Sequence, residues 1–242
     1  MIMVQSFAQL VSATVAVEET SVDVPGNVLL DAEAIHIASA VPKRRAEFAT
    51  VRYCARRALA RLGKPAFPIL PGPGRAPQWP AGIVGSLTHC HGYRAAAVAS
   101  IEDIVSLGID VEAHEPLPKG VAPLVTVGDE PRMLDELQRT LPTLCWDRLL
   151  FSAKESIYKA WFSMTQRWLD FTECQVTLDP ETGRFSGRLL VPGPVVGGRP
   201  LRYFHGRWSV SGSHIRTAVQ VQANRVDQPR KILLNEGIEH AQ

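Results

Sequence analysis

The order of helical and strand-like segments along the 242 residues constrains the fold most strongly. A helix is predicted from Pro42 to Leu62, because apolar residues recur there at helical spacing, Pro42 suits a first turn and Gly63 suits a C-terminal stop. Two further helical segments are predicted around Pro131 to Thr140 and Trp146 to Phe162. Short segments of strand length follow each helical region. Helix, strands, helix, strands predicts an α+β fold in two similar halves.

The predicted strands are short and are bounded by turn residues. Three that we expect to be neighbours lie near Ile83 to Leu87, Ala95 to Ile101 and Val105 to Val111. Five more occupy Phe171 to Leu178, Gly187 to Val191, Leu201 to His205, Trp208 to Ser211 and Ile215 to Val221. Near the N terminus we predict a strand at Ser12 to Val17 and a helix at Asp31 to Ala40, and Lys64 to Pro80 is predicted as a proline- and glycine-rich loop.

Composition excludes several classes of protein. The formal net charge is +2, so a general nucleic-acid binder, which usually has a pronounced basic excess, is not expected. Four cysteines are widely spread without a C-x-x-C pair, which favours a reducing, cytoplasmic setting. The first seventeen residues lack a basic leader, and no apolar run approaches the roughly 18 residues of a membrane span. We therefore expect a soluble protein without a membrane partner.

Two separated acidic segments carry the chemistry. Asp110 and Glu112 lie two apart after an apolar run, so on a strand both side chains project from one face. Glu155 lies on a predicted helix with Lys159 one turn further on. Three carboxylates and a cation therefore come together, and hard oxygen ligands with spare coordination positions suit Mg²⁺ bound jointly to a phosphate compound. Taken alone, each segment is more often a solvated surface.

The helix that begins at Pro42 also carries basic residues. At 100° per residue Arg45, Arg52 and Arg56 fall within a narrow sector, with Arg44 nearer the apolar side. Such a stripe is usually a solvated face, but together with the acidic site it favours binding of a phosphate.

Two other readings of the sequence are weaker. His89, Cys90 and His91 invite a zinc site, yet no second ligand pair at a metal-like spacing accompanies them. Ser86 lacks the following glycine of a G-x-S-x-G elbow, so a serine hydrolase is poorly supported.

Four segments, in order, closely resemble the Sfp-type 4′-phosphopantetheinyl transferases, and in particular the bacterial branch that includes the enterobactin-synthetase component D type. The segments are Lys43 to Arg56, Gly85-Ser86-Leu87-Thr88-His89-Cys90, Gly108-Ile109-Asp110-Val111-Glu112 and Phe151-Ser152-Ala153-Lys154-Glu155-Ser156-Ile157-Tyr158-Lys159-Ala160-Trp161. The resemblance spans roughly residues 40 to 222. It implies a pseudo-twofold pair of α/β halves with the active site in the cleft between them.

The resemblance also implies roles for individual residues. The catalytic residues would be Glu155, Lys159 and Asp110, and Mg²⁺, with Mn²⁺ as an alternative, would be held by Asp110, Glu112 and Glu155. Coenzyme A would be bound by Arg44, Arg52, Arg56, Arg75, Ser86, Thr88, His89, Asp110, Lys154 and Lys159. Arg75 is a departure from the family pattern. Related enzymes often have a lysine in the loop before the Gly85 to His89 segment, and Arg75 would take its place from a different position in that loop. Which group is the general base stays open.

These assignments predict a holo-[acyl-carrier-protein] synthase that moves the phosphopantetheine arm of coenzyme A onto a serine of an apo acyl, peptidyl or aryl carrier protein. The product would be adenosine 3′,5′-bisphosphate. We divide the chain into residues 1–112 with the basic coenzyme A-binding helix, 113–224 with the metal and catalytic helix, and a polar tail, 225–242. We expect a monomer. The alternatives are a non-catalytic coenzyme A or nucleotide-binding protein and a Mg²⁺-dependent phosphohydrolase, and the sequence does not choose among fatty acid, polyketide, nonribosomal peptide and siderophore pathways.

Overall fold

The computed structural model describes residues 6–25 and 28–223, and the predicted tail at 225–242 lies outside them. The helices are α1 (Asp31–Ile37), α2 (Pro42–Arg61), α3 (Ala122–Val125), α4 (Glu130–Thr140) and α5 (Trp146–Thr165). The strands are β1 (Ala16–Thr20), β2 (Ile83–Cys90), β3 (Tyr93–Ser100), β4 (Ile104–Ala113), β5 (Cys174–Asp179), β6 (Arg184–Leu189), β7 (Val195–Val196), β8 (Arg199–Pro200), β9 (Tyr203–Ser211) and β10 (His214–Gln222). Short 3₁₀ helices lie at Phe7–Gln9, Pro73–Arg75 and Phe171–Glu173. The α+β class predicted from the sequence is confirmed.

The two long helices begin where the sequence predicts. Pro42 occupies the first turn of α2, and Gly63, just beyond its end, has φ of +68°. That left-handed conformation carries no steric cost for glycine, so the helix ends there. Helix α5 runs three residues further than predicted, to Thr165.

Two antiparallel sheets form the body of the molecule. The first has the strand order β1-β3-β2 and the second β4-β10-β9-β6-β5, while β7 and β8 form a separate ribbon. Strands β2 and β3 pair as a hairpin, as expected. Strand β4 lies beside β2, as expected, but its backbone hydrogen bonds are made to β10. Our proposed boundary at residue 112 would place β4 in the first half, whereas its backbone pairing groups it with the second.

Side-chain hydroxyls join the two sheets where β2 runs alongside β4. Ser86 Oγ accepts a hydrogen bond from Ile109 N at 3.0 Å, and Thr88 Oγ1 accepts one from Val111 N at 3.0 Å. These bonds satisfy buried β4 amides that have no strand partner on that side. The sheets are thereby joined side by side without a continuous backbone ladder.

Two strand predictions need correction in the second half. Leu201 to His205 and Trp208 to Ser211 were expected as separate strands, but β9 is continuous and pairs with β6 and β10. The reason is that Gly206 is not a turn residue: it faces the ring of Phe185 on β6, where a Cβ would lie 2.1 Å from the ring. The second correction concerns the strand predicted from Phe171 to Leu178. Phe171–Glu173 is a 3₁₀ turn, and β5 begins at Cys174. Near the N terminus the strand lies at Ala16–Thr20, later than predicted.

Each long helix covers one sheet. The buried face of α2 packs through Ala55, Ala58 and Leu59 against Ala96 and Val98 of β3. The buried face of α5 packs on the inner side of the five-stranded sheet, and its core members are Trp146, Leu149, Leu150, Ala153, Ile157, Ala160 and Trp161. Within residues 6–25 and 28–223, no helix has the length and apolar character to cross a bilayer.

Candidate active site

A cleft of about 940 Å³ opens between α2 and β2 on one side and α5 on the other, roofed by the loop from Pro71 to Trp79. Its volume is within the range of about 300–1,000 Å³ that is common for small-molecule sites. Seven of the residues predicted for the site line it: Arg44, Arg52, Arg75, Ser86, His89, Glu155 and Lys159. The structure therefore brings together residues that are more than a hundred positions apart in the chain.

Close contact between β4 and α5 brings Asp110 beside Lys159, which lines the cleft, although Asp110 and Glu112 are not themselves among the lining residues. Gly108 lies against Ser156 of α5, and a Cβ at position 108 would be 1.9 Å from the Ser156 backbone oxygen. Only glycine allows the strand and the helix to approach so closely. This approach brings Asp110, two residues further along β4, within reach of Lys159 on α5.

Asp110 is buried and is bonded through both of its carboxylate oxygens. Lys159 Nζ donates to Oδ1 at 2.8 Å, and Ser152 Oγ donates to Oδ2 at 2.8 Å. Thr88 Oγ1 also faces Oδ1, at 3.4 Å. Lys159 makes a second bond, to Ile109 O, which fixes its ammonium group over the end of β4. A carboxylate and a cation are thus held at the edge of the cleft.

Glu155 has the most strongly shifted pKa among the acidic residues of the site. Burial, followed by the negative charges of Asp110 and Glu112, raises the pKa of its carboxyl to about 7, while Lys159 acts in the opposite direction. A carboxyl group with that pKa changes its charge near neutral pH. It therefore has the properties of a general base or of a ligand for a cation.

Glu112 projects toward α5, as expected for a residue two positions from Asp110, but it is engaged by Arg148. Arg148 NH1 donates to Glu112 Oε2 at 3.0 Å, and the guanidinium is anchored by bonds to Glu115 O and Pro116 O. Burial and Asp110 raise the pKa of Glu112. Among the described residues, no group of three or more His, Cys, Asp or Glu side chains is arranged as a metal site.

The basic end of the cleft is formed by α2 and β2. Arg44 NH1 donates to His89 Nε2 at 2.9 Å, and because a guanidinium cannot accept, His89 must be neutral on that nitrogen. Desolvation lowers the pKa of His89, which agrees with a neutral ring. Arg52 is fixed by a bond to Ile69 O and by stacking on Phe48, with 3.4 Å between the guanidinium carbon and the ring centroid.

Arg56 does not follow Arg52 into the cleft. It pairs with the fully buried carboxylate of Glu33 at 2.6 Å and also bonds Val28 O. Glu33 also accepts a hydrogen bond from Ile69 N at 2.8 Å. The Arg56–Glu33 ion pair therefore fixes the loop before β2 against α2. The structure thus divides the predicted arginine stripe into cleft and structural residues, and Arg45 lies outside the cleft lining.

Lys154 is also turned away from the cleft. Only 3% of its surface is exposed, and Nζ donates to Glu130 Oε2 at 2.8 Å and to Phe171 O at 2.7 Å. Glu130 accepts further bonds from Val127 N and Val176 N. This buried pair ties α5 to α4 and β5, whereas the resemblance implied a contact between Lys154 and phosphates.

The roof loop brings Arg75 over the cleft in an uncommon backbone conformation. Arg75 has φ of +63°, next to Gly74 at +59°, and it is exposed. Below the roof, Ser86 is buried and Thr88 is shared between Val111 N and Asp110. Both hydroxyls therefore join the sheets in addition to their position beside the site.

The sequence analysis did not identify an aromatic pocket on the far side of Glu155. Tyr158, Trp168 and Phe171 line this pocket together with Glu155, and the rings of Tyr158 and Trp168 lie 5.0 Å apart. Tyr158 also lines the main cleft. Trp168 lies beyond the end of α5, so no periodic pattern connects it with Tyr158. Glu155 therefore lies between the basic cleft and this aromatic pocket, which Lys154 and Asp170 also line.

Comparison with known proteins agrees with this geometry. Residues 32–99 match the family model described as the 4′-phosphopantetheinyl transferase N-terminal domain, and residues 106–194 match that of the 4′-phosphopantetheinyl transferase superfamily. The chain is 54% identical over 201 residues to the 4′-phosphopantetheinyl transferase Svp of Streptomyces mobaraensis, with 83% of this chain and 82% of the relative covered.

Two more relatives extend the comparison. The 4′-phosphopantetheinyl transferase PptT of Mycobacterium tuberculosis is 46% identical over 221 residues, covering 88% of this chain and 96% of the relative. Enterobactin synthase component D of Salmonella typhi is 36% identical over 124 residues, half of each chain. The family models together span more than half of the residues, and the chain belongs to the 4′-phosphopantetheinyl transferase family.

Proposed function

We propose that the cleft between α2 and α5 is where this transferase moves the 4′-phosphopantetheine arm of coenzyme A onto a serine of an apo carrier protein. One observation carries the proposal: Glu155 and Lys159 line the same cleft as Arg44, Arg52 and His89. A phosphate-binding end and an acid–base end therefore share one cavity of suitable size.

The charge distribution gives coenzyme A an orientation. Arg44, Arg52 and neutral His89 supply donors for the 3′-phosphate and the nucleotide, with Arg75 above them and Ser86 below. Lys159 and Glu155 lie at the other wall, where the pyrophosphate would be. Arg56 and Lys154 have structural partners and are not assigned to this complex.

The residues of α5 supply the proton chemistry. We assign Glu155 as the general base that accepts the hydroxyl proton of the carrier serine. The serine oxygen forms a bond to the β-phosphorus of coenzyme A at the same time. The pyrophosphate P–O bond breaks, and adenosine 3′,5′-bisphosphate departs with the electron pair. Lys159, held by Asp110 and Ile109 O, stabilises the negative charge on that leaving group.

The donor set fits a divalent cation. Burial and the negative charge of Asp110 raise the pKa values of Glu155 and Glu112, and Lys159 and Arg148 oppose these shifts only in part. We assign Asp110 and Glu155 as ligands of Mg²⁺ or Mn²⁺. Glu112 would be a third ligand once its ion pair with Arg148 opens. When bound, the cation would neutralise phosphate charge and polarise the phosphoryl group.

The partner and setting follow from the same assignments. The acceptor is an apo acyl, peptidyl or aryl carrier protein, and we propose that the enzyme acts as a monomer in the cytoplasm. All four cysteines are unpaired, which suits a reducing compartment. A phosphohydrolase would use water at the same pyrophosphate, and a binding protein would bind coenzyme A without turnover.

An assay of both products separates these functions. The enzyme, coenzyme A and an apo carrier are incubated with chelator, and Mg²⁺ or Mn²⁺ is then added back. We expect bisphosphate to appear only with metal, in a one-to-one ratio with modified carrier. Bisphosphate release without a carrier would favour the hydrolase, and coenzyme A binding without either product would favour the binding protein.

A further inference from the structure

Two buried hydroxyl groups lie next to Asp110 and outside the lining of the cleft. Ser152 of α5 and Thr217 of β10 are both fully buried. Thr217 is the cross-strand partner of Asp110 in the β4–β10 pair, so its side chain lies on the same face of the sheet. Neither hydroxyl is among the groups that line the cleft.

The hydrogen bonds among these groups have a defined direction. Asp110 is paired with Lys159, and a carboxylate can only accept, so the single hydroxyl proton of Ser152 is donated to Asp110 Oδ2 at 2.8 Å. Thr217 Oγ1 lies 2.9 Å from Ser152 Oγ and 2.8 Å from Ser152 O. The Thr217 proton is donated to Ser152 O, because a carbonyl oxygen can only accept. Thr217 therefore holds the Ser152 backbone, and the Ser152 hydroxyl donates to Asp110.

We infer that Ser152 and Thr217 are positioning residues for phosphopantetheine transfer, and that they fix the rotation of the Asp110 carboxylate. Lys159 and Thr88 contact Oδ1 and leave Oδ2 to other partners. Ser152 donates to Oδ2 and Thr217 contacts Ser152, so Oδ1 stays directed toward Lys159. This inference rests on the assignment of Asp110 to the cation and the phosphates.

The position of the pair separates its role from coenzyme A binding. Because neither hydroxyl lines the cleft, their loss should leave its basic end unchanged. It should instead affect the cation and the chemical step, since groups that orient a metal ligand typically contribute about 10–100-fold to metal affinity or activity. A purely structural role would reduce stability without separating kcat from KM.

The test uses variants of nearly equal shape. Thr217→Val removes the hydroxyl and keeps the branched side chain, Thr217→Ser restores the hydroxyl, and Ser152→Ala removes the middle group. Ser156→Ala is the matched control, because Ser156 is equally buried on α5 and its hydroxyl bonds only Ala153 O. Urea unfolding confirms that each variant is folded at the assay temperature.

Two readouts decide the outcome. For Thr217→Val and Ser152→Ala we expect kcat to fall about 10–100-fold with KM for coenzyme A within twofold, and Thr217→Ser to recover most of the loss. Mn²⁺ binding in the presence of coenzyme A, followed by the electron paramagnetic resonance signal of free Mn²⁺, should weaken about tenfold in the same two variants.

Several results would overturn the inference. Unchanged kcat and unchanged Mn²⁺ binding in the folded variants would remove the pair from the site, as would an equal loss in Ser156→Ala or no recovery in Thr217→Ser. Failure of the wild-type enzyme to modify any carrier would instead reject the proposed function, so the two failures are distinguishable.

Discussion

At the scale of single residues, the surroundings of Glu155 control the charge of the cleft. Its carboxyl lies near Asp110 and Glu112, and burial adds to their repulsion. A folded-state pKa of about 7 against an ordinary value of 4.5 means that the folded protein holds a proton that the unfolded chain has released. Ionised Glu155 therefore opposes folding in the metal-free protein.

The sign of this effect gives a prediction for stability. As pH rises from about 4.5 to 7, the contribution of Glu155 falls by up to about 3 kcal/mol and then stays level. In chelator at pH 8, Glu155→Gln should be more stable than wild type, and the difference should vanish near pH 4.5. Urea unfolding of both proteins across this range measures it. A variant that is no more stable at pH 8 would show that Glu155 is neutralised by some other group.

The arginines of α2 give a second prediction at this scale. Arg44 lines the cleft and Arg45 does not, although they are neighbours in sequence. A lost charged hydrogen bond is worth about 1.5–3 kcal/mol, so Arg44→Ala should weaken coenzyme A by about 10–150-fold. Calorimetric titration measures the affinity, with Arg45→Ala as the control. Equal losses in both variants would indicate a diffuse electrostatic effect in place of a contact.

The sequence identified the groups of the site better than their partners. Spacing along β4 and α5 predicted that Asp110 and Lys159 would meet, and they lie 2.8 Å apart. Arg148 and Thr217 come from other parts of α5 and from β10, and no local pattern shows that they face Glu112 or Asp110. Partners across elements depend on tertiary packing, which a single sequence does not specify.

At the scale of elements, helix α5 has one side that faces the cleft and one that faces the interior. Glu155 and Lys159 face the cleft, whereas Lys154, about 100° around the helix from Glu155, faces Glu130 in the interior. The resemblance assigned Lys154 to phosphate, but motif membership does not indicate the direction of a side chain. The geometry favours Lys154 as the group that fixes α5 against α4.

This division of α5 predicts different losses from two lysines. Removing one partner of a buried ion pair costs about 3–5 kcal/mol, so Lys154→Met should lower the free energy of unfolding by that amount with KM for coenzyme A nearly unchanged. Lys159→Met should lose turnover with a smaller loss of stability, because Lys159 is partly exposed at the cleft. Urea unfolding and steady-state kinetics compare them. A tenfold weaker coenzyme A affinity in folded Lys154→Met would instead support the phosphate contact.

The helices themselves were easier to predict than the strand pairing. Pro42, Gly63 and the apolar periodicity of α2 and α5 are local signals, and the helices lie where these signals place them. The pairing of β4 with β10 joins segments about a hundred residues apart, so no local signal in the sequence predicts it.

At the scale of the whole molecule, the two sheets meet along one seam, which is the contact between β2 and β4. Ser86 and Thr88 of β2 accept from Ile109 N and Val111 N of β4, close to Asp110. The seam therefore sets the distance between the proposed coenzyme A-binding wall and Asp110. The predicted pseudo-twofold relation of the halves stays a prediction.

Removing the seam should loosen the junction of the sheets. Ser86→Ala leaves the buried Ile109 amide without an acceptor, at a cost of about 1–3 kcal/mol. Hydrogen exchange of the Ile109 amide should speed up in this variant, while that of Val219, in the interior of the second sheet, should change less. Equal protection of Ile109 in both proteins would mean that Ser86 does not join the sheets.

The measurement that tests the central claim most directly is intact mass spectrometry of an apo carrier protein incubated with coenzyme A, Mg²⁺ and either the wild-type enzyme or Glu155→Gln. The wild type should add one phosphopantetheine per carrier. The variant should bind coenzyme A yet modify the carrier at least about 100-fold more slowly, as expected for loss of a general base. Modification at the wild-type rate by Glu155→Gln at saturating Mg²⁺ would contradict the account, because the Glu155 carboxylate would then have no part in the transfer.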